Sequence, residues 1–176
     1  MKQHILVATD GSETAQKAVT MAAELAAKFD IPLTIGHALQ FGKISNDLVR
    51  MAEAEHILDS VKSASKIDFD KMREAENRNI FSSFDPPSDT VRAITLIGEE
   101  LVKRAADRAR DIGASKVDTR TVDDDPANGV LEMAKDVGAD MIVIGHRGLG
   151  RVRSLLVGSV AHKVNSHATC TVVTVR

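Results

Sequence analysis

Five short apolar runs punctuate the chain, and between most of them the apolar positions fall at helical spacing. His4 to Thr9 (HILVAT) is a continuous run of the kind a fully buried strand carries, stopped by Asp10-Gly11-Ser12. From Ala15 onward, Ala18, Val19, Ala22, Leu25, Ala26 and Phe29 step by three and four, which predicts an amphipathic helix. Pro32 opens a second strand over Leu33 to Leu39. A second helix is expected from Thr95 to Ile112, with Leu96, Ile97, Leu101, Val102, Ala105 and Ala109 on one side and Gly113 in the position favoured after a C-terminus. Val117 to Val122 alternates, which fits a strand near a sheet edge. Asp125-Pro126 starts a third helix, a carboxylate cap followed by proline in the first turn, with Val130, Leu131, Ala134 and Val137 as its buried stripe. Met141 to Ile144 is the most apolar strand and should be central. A last helix around Ser159 to Ser166 leads into a β-branched terminal strand, Thr169 to Val175.

Strands alternating with helices predict an α/β fold, a single doubly wound domain whose mostly parallel sheet is covered on both faces. Ligands of such sheets bind beyond the carboxyl ends of the strands, so two turns stand out: Thr9 to Ser12, and the segment from Gly145 onward. The stretch from about 40 to 93 is too long for a βα connection and is expected to be a helical insertion after the second strand. Its residues Ile44, Leu48, Met51, Leu58 and Val61 keep roughly helical spacing, and it holds Phe41, Phe69, Phe81 and Phe84. Either it covers its own domain or it serves as a partner-binding arm.

Composition narrows the function. With 23 Lys+Arg against 25 Asp+Glu the net charge is −2, which leaves no excess of cations to neutralise the phosphates of a nucleic acid. Five Phe with no Trp or Tyr supply few stacking platforms for single strands. No apolar run approaches the ~18 residues of a membrane span, and the N-terminal run is too short for a secretory signal, so a cytoplasmic protein without membrane insertion is expected. Cys170 is the one cysteine; it excludes an internal disulfide and reads as inert core within the last strand.

The chemistry concentrates after the fourth strand. Gly145, Gly148, Gly158 and Ser159 form G-x2-G-x9-G-S between a strand and a helix. Glycines let backbone approach an anion without a Cβ in the way, and N–H groups at a helix start point at it with the helix dipole behind them. Neither a Walker A sequence nor G-x-G-x-x-G after the first strand is present. Arg147, Arg151 and Arg153 flank the glycines, where guanidinium forks suit phosphate oxygens. Asp10 is placed either to accept hydrogen bonds from hydroxyls or an amine, or simply to cap the first helix. His37 reads as a packed strand histidine, and His162 with His167 is poorly spaced for a metal pair.

These features together resemble the ATP-binding branch of the universal stress protein family. The resemblance rests on HILVATDGSETAQKA, TIGHAL, DMIVIGHRG, LLVGSV and the terminal CTVVTV, and it skips residues 40 to 93. It implies a five-strand parallel sheet in the order 3-2-1-4-5 within one domain spanning 1–176. It further implies that Ala8, Thr9 and Asp10 line the adenine and ribose end, that the Ala38 backbone reads the adenine edge, and that Gly145, Gly148, Gly158, Ser159 and Val160 hold ribose and phosphates. Arg147 joins these candidates on its own guanidinium chemistry, the alternative being a solvated loop residue.

The expected protein is a cytoplasmic ATP-binding regulator that pairs through its terminal strand into a homodimer, with Mg²⁺ arriving on the nucleotide's phosphates and a protein partner that the sequence does not name. It is expected not to be a true enzyme, with slow ATP hydrolysis at most, because no Ser-His-Asp set or carboxylate pair is evident. The alternatives are an ATP-using nucleotidyl transferase or ligase on a related fold, and a nucleotide-free interaction module.

Overall fold

Alternate residues of the first strand face opposite layers, and that alternation organises the molecule. The structure, a computed structural model, describes residues 3–40, 51–53, 56–59, 61, 88–149 and 157–176. In chain order its elements are β1 (Ile5–Ala8), α1 (Glu13–Phe29), β2 (Leu33–Leu39), α2 (Ser88–Ile112), β3 (Val117–Asp123), α3 (Pro126–Asp136), β4 (Met141–Gly145), α4 (Ser159–His167) and β5 (Thr171–Val175). All strand pairs are parallel, in the order β3-β2-β1-β4-β5. The order expected from the resemblance is the order found.

Ile5 and Val7 pack beneath α1 and α2, whereas Leu6 and Ala8 pack beneath α3 and α4. Small residues let the first pair of helices lie close, with Ala18, Ala22 and Ala26 of α1 sharing one cluster with Ala106 and Ala109 of α2. Ile5, Leu6 and Val7 are almost wholly buried. Burial of each such side chain contributes about 1.5–3 kcal/mol, so the strand that delivers the first loop is firmly anchored. Register keeps the strand ends level: Ala8 stands beside Gly36 of β2 and Ile144 of β4.

Caps behave as local chemistry dictates. Ser12 caps α1, its side chain accepting from the Ala15 N–H at 3.3 Å, and Asp125 caps α3 by accepting from Asn128 N–H at 3.2 Å. Asp10 does not cap α1. None of the described helices is long and apolar enough to cross a membrane.

Several expectations shift. The second helix begins at Ser88 rather than Thr95, so the core resumes within the segment assigned to the insertion, and its extra turns bury Ala93 and Ile94. Phe29 is 62% exposed rather than part of the stripe, because α1 ends there and the left-handed turn at Asp30 returns the chain to the sheet. Cys170 precedes β5 and is only half-buried. β4 is an interior strand, but β1 occupies the centre. β3 is an edge strand, as its alternation predicts.

The described residues of the insertion pack on their own domain. Met51, Ala52, Ile57, Leu58 and Val61 form a cluster with Ile97 and Leu101 of α2, and Leu149 packs against it. Gly11, in the left-handed conformation at φ 80°, lies under Met51, whose sulfur a Cβ there would strike. The four insertion phenylalanines, Ile44 and Leu48 lie outside the described residues.

Candidate functional site

The loops after β1 and β4 leave neighbouring strands at the same level and are tied to each other. Asp10 makes the principal tie. One oxygen of its carboxylate accepts the Ser12 N–H at 3.0 Å, and the other accepts the Leu149 N–H at 2.9 Å. A carboxylate offers about four acceptor positions, so both oxygens retain capacity for a ligand. Thr14, in the first turn of α1, adds a second tie by donating its hydroxyl proton to the Arg147 carbonyl.

The glycines are explained by these approaches. A Cβ on Gly145 would lie 2.7 Å from the Thr14 hydroxyl oxygen and 3.0 Å from the Ala15 nitrogen. One on Gly148 would collide with the carboxylate of Asp10. At Gly158 the added atom would sit 3.3 Å from both the Arg147 Cα and the His146 carbonyl oxygen. In all three cases the space saved is filled by the protein itself. These glycines thus have a further physical role, which is to let the β4 turn close onto α1, Asp10 and the start of α4.

That closure positions α4. The Gly158 N–H donates to the His146 carbonyl at 2.7 Å, and the His146 N–H donates to the Val175 carbonyl at 2.7 Å, so β5, the β4 turn and the helix start are linked in series. Gly158 is the N-cap residue and supplies no side-chain acceptor. The first N–H groups of the helix, those of Ser159, Val160 and Ala161, thus have no side-chain cap, and they carry the positive end of the dipole. Ser159 is exposed, whereas Val160 packs partly into the α3–α4 cluster.

Ala8 and Ala38 lie on the same side as this helix start. Ala8 belongs to the α3–α4 cluster, and a Cβ on Gly129 of α3 would come within 3.4 Å of the Ala38 methyl. Thr9 points the other way. Its hydroxyl oxygen accepts from the Gly11 N–H at 3.2 Å, and its carbonyl accepts from His37 Nδ1–H at 2.8 Å. Its side chain consequently faces α1 and α2 instead of the crevice beside Ala8. His37 is a packed strand histidine: burial lowers its pKa against the opposing effects of the Thr9 carbonyl and the Asp10 charge, which keeps the ring neutral.

His146 is also held structurally, its Nδ1–H donating to the Val175 carbonyl at 3.2 Å. Arg147 is half-buried in the β4 turn, and Arg151 and Arg153 lie outside the described residues. Among the described residues no group of three His, Cys, Asp or Glu side chains could hold a metal ion. Two participants have no signal in the sequence, Thr14 and the Leu149 N–H. Their partners stand 133 and 139 positions away, beyond the reach of any local pattern.

Comparison with known proteins agrees with this architecture. Universal stress protein YxiE of Bacillus subtilis (strain 168) is 26% identical over 178 residues, covering 100% of both chains. A universal stress protein solved in complex with cAMP matches with a TM-score of 0.63 at 24% identity, covering 99% of this chain and 97% of that one. The universal stress protein from Archaeoglobus fulgidus, solved in complex with dAMP, matches with a TM-score of 0.58 at 20% identity, covering 99% and 98%. The family model described as the universal stress protein family matches residues 1–176, and the chain belongs to that family.

Proposed function

We propose that this protein binds ATP in the crevice between the β1 and β4 loops and acts as a nucleotide-dependent regulator in the cytoplasm. The observation that carries the reading is the start of α4, a helix N-terminus without a side-chain cap, held 2.7 Å from the β4 turn and flanked by Asp10. An anion there meets converging N–H groups and the helix dipole. Its phosphates would be held by the Ser159 hydroxyl and the backbone of Gly158 to Val160, with Arg147 and the turn from Gly145 to Gly148 beside them. The remaining acceptor positions of Asp10 suit ribose hydroxyls, and Ala8 with the Ala38 backbone would face the adenine. The relatives solved with cAMP and dAMP support an adenine nucleotide as the ligand class.

Binding without rapid turnover is the chemistry this arrangement favours. His37 is buried, its Nδ1–H on the Thr9 carbonyl and its Nε2 edge turned toward Gly98 of α2, so it does not face the phosphates; the Nδ1–H of His146 donates to the Val175 carbonyl, and no carboxylate among the described residues orients that ring. Mg²⁺ would arrive on the phosphates. A homodimer through β5 completes the reading, since β5 is an edge strand.

One set of measurements separates this from the alternatives. The purified full chain is analysed for bound nucleotide and titrated calorimetrically with ATP and adenosine, alongside Ser159→Ala. Expected are bound adenine nucleotide, negligible pyrophosphate release, and a loss for Ser159→Ala of about 0.5–3 kcal/mol in ATP binding, the range for one hydrogen bond, with little change for adenosine. Rapid pyrophosphate release would favour the transferase or ligase, and failure to bind either ligand would favour the interaction module.

A further inference from the structure

Beside the β1 loop, a cavity of about 280 Å³ opens between α1 and α2. Its walls are apolar: Val19 from α1, Leu101 and Ala105 from α2, and Ile57 from the insertion. Arg104 and Arg108, one helical turn apart on α2, also line it, with Gln16 of α1 in contact with Arg108. Thr9 and Gly11 of the β1 loop complete the described lining, and the Gln16 side-chain amide donates to the Gly11 carbonyl at 3.3 Å.

The two arginines are held differently. Arg104 is paired with Glu100 at 2.8 Å, and Lys103 approaches the same carboxylate at 3.7 Å, so one acid already serves two cations. Arg104 also donates to the His56 carbonyl at 3.2 Å, which fixes the insertion over the cavity. Arg108 has a different situation. It donates to the Gln16 side-chain carbonyl at 3.2 Å, and among the described residues no carboxylate pairs with it. A neutral amide oxygen therefore occupies the position that a carboxylate oxygen would fill with roughly twice the strength.

We propose that this cavity binds a small amphipathic monocarboxylate, its carboxylate on Arg108 and its apolar body against Val19, Leu101, Ala105 and Ile57. Arg108, the guanidinium without a carboxylate partner among the described residues, matches a single carboxylate, whereas Arg104 is already engaged by Glu100. The apolar walls select against sugars and other polyols, since their hydroxyls would be buried without acceptors. Ile57 and the Arg104–His56 contact place the insertion in direct touch with the ligand, while Thr9 and Gly11 belong to the strand and loop that also carry Asp10.

The test uses the full chain, labelled for two-dimensional NMR and titrated with hexanoate, hexanol and hexylamine, in the presence and absence of saturating ATP. Saturable shifts of the Val19, Leu101 and Ala105 amides are expected with hexanoate. Its affinity should exceed that of hexanol by about tenfold or more, the effect of one charge-assisted hydrogen bond. Arg108→Met keeps the apolar stem and should erase that preference. Ala105→Phe, which fills the cavity, should abolish the shifts; if it fails to fold, Arg108→Met alone decides. No saturable shift, equal affinity for hexanoate and hexanol, an undiminished preference in Arg108→Met, or competition between ATP and hexanoate for a single site would each overturn the proposal.

Discussion

Replacing Gly148 with alanine isolates the contact that joins the two loops. The backbone of Gly148 lies outside the left-handed region, so alanine meets no conformational penalty of that kind. Its methyl, however, would lie well under 3.0 Å from the Asp10 carboxylate oxygen that accepts the Leu149 N–H, and ordinary contact begins near 3.4 Å. The carboxylate must move, and that hydrogen bond must lengthen or break. Hydrogen bonds to charged groups contribute about 1.5–3 kcal/mol, and the half-exposed setting of Asp10 argues for the lower end. Against this, Gly→Ala gains about 0.4–1 kcal/mol by restricting the unfolded chain. The net expected loss is about 1 kcal/mol. In an Asp10→Ala background the obstruction and the bond are both gone, so the same substitution should become neutral or stabilising by about 0.4–1 kcal/mol. Urea unfolding of the wild type, both single variants and the double variant measures this, provided the four m-values agree. Equal effects of Gly148→Ala in the two backgrounds, within about 0.5 kcal/mol, would refute the Asp10–Leu149 tie as the reason for glycine at 148.

Three further outcomes are expected. Burial lowers the folded-state pKa of His37 below its ordinary value, and that of His4 likewise, so the stability they contribute is fully present above about pH 6.5 and is lost as pH falls from there toward the folded values. His37→Asn, whose amide can still donate to the Thr9 carbonyl, should flatten the fall in urea midpoint between about pH 7 and 5. Asp125→Ala removes the α3 cap and should cost about 0.5–2 kcal/mol in the same assay. Because the Lys163 hydrogen bond and the Asn128 N–H hold the Asp125 carboxyl below its usual range, that difference should vanish as pH falls through and below about 4. For the edge of the sheet, the Thr171 N–H and the Val175 carbonyl bond inward toward the β4 side, which leaves the Thr174 N–H facing outward. Thr174→Pro should therefore convert a β5-paired dimer to monomer in light scattering while sparing the fold, and an unchanged dimer would reject that interface.

Hydrophobic period and turn residues place nearly every element along the chain. The steps of three and four through Ala18, Val19, Ala22 and Ala26 place α1, and Asp125-Pro126 marks the start of α3 within a residue. Such features reach only a few residues along the chain, which is why they are readable locally. Phe29 shows the limit: it continues the period of α1, yet no neighbouring element covers it. The start of α2 shows the same limit from the other side, since the length of that helix depends on what it packs against.

The sequence by itself determined the βα alternation, the likeness to a family, and the spacing that brings Gly145, Gly148, Gly158 and Ser159 around one strand end. It could not decide which partner each of them meets, because side-chain partners across a sheet depend on strand order and register rather than on local period. Only the tertiary structure turned Asp10 toward the Leu149 N–H, 139 positions away, in place of a helix cap, and Thr14 toward the Arg147 carbonyl. It also directed Thr9 to the α1–α2 face and set Arg108 over an apolar cavity whose walls come from three segments distant in the chain. The physical reason is common to all four: each position was legal in several local conformations, and the choice among them was made by close packing of elements that the sequence separates.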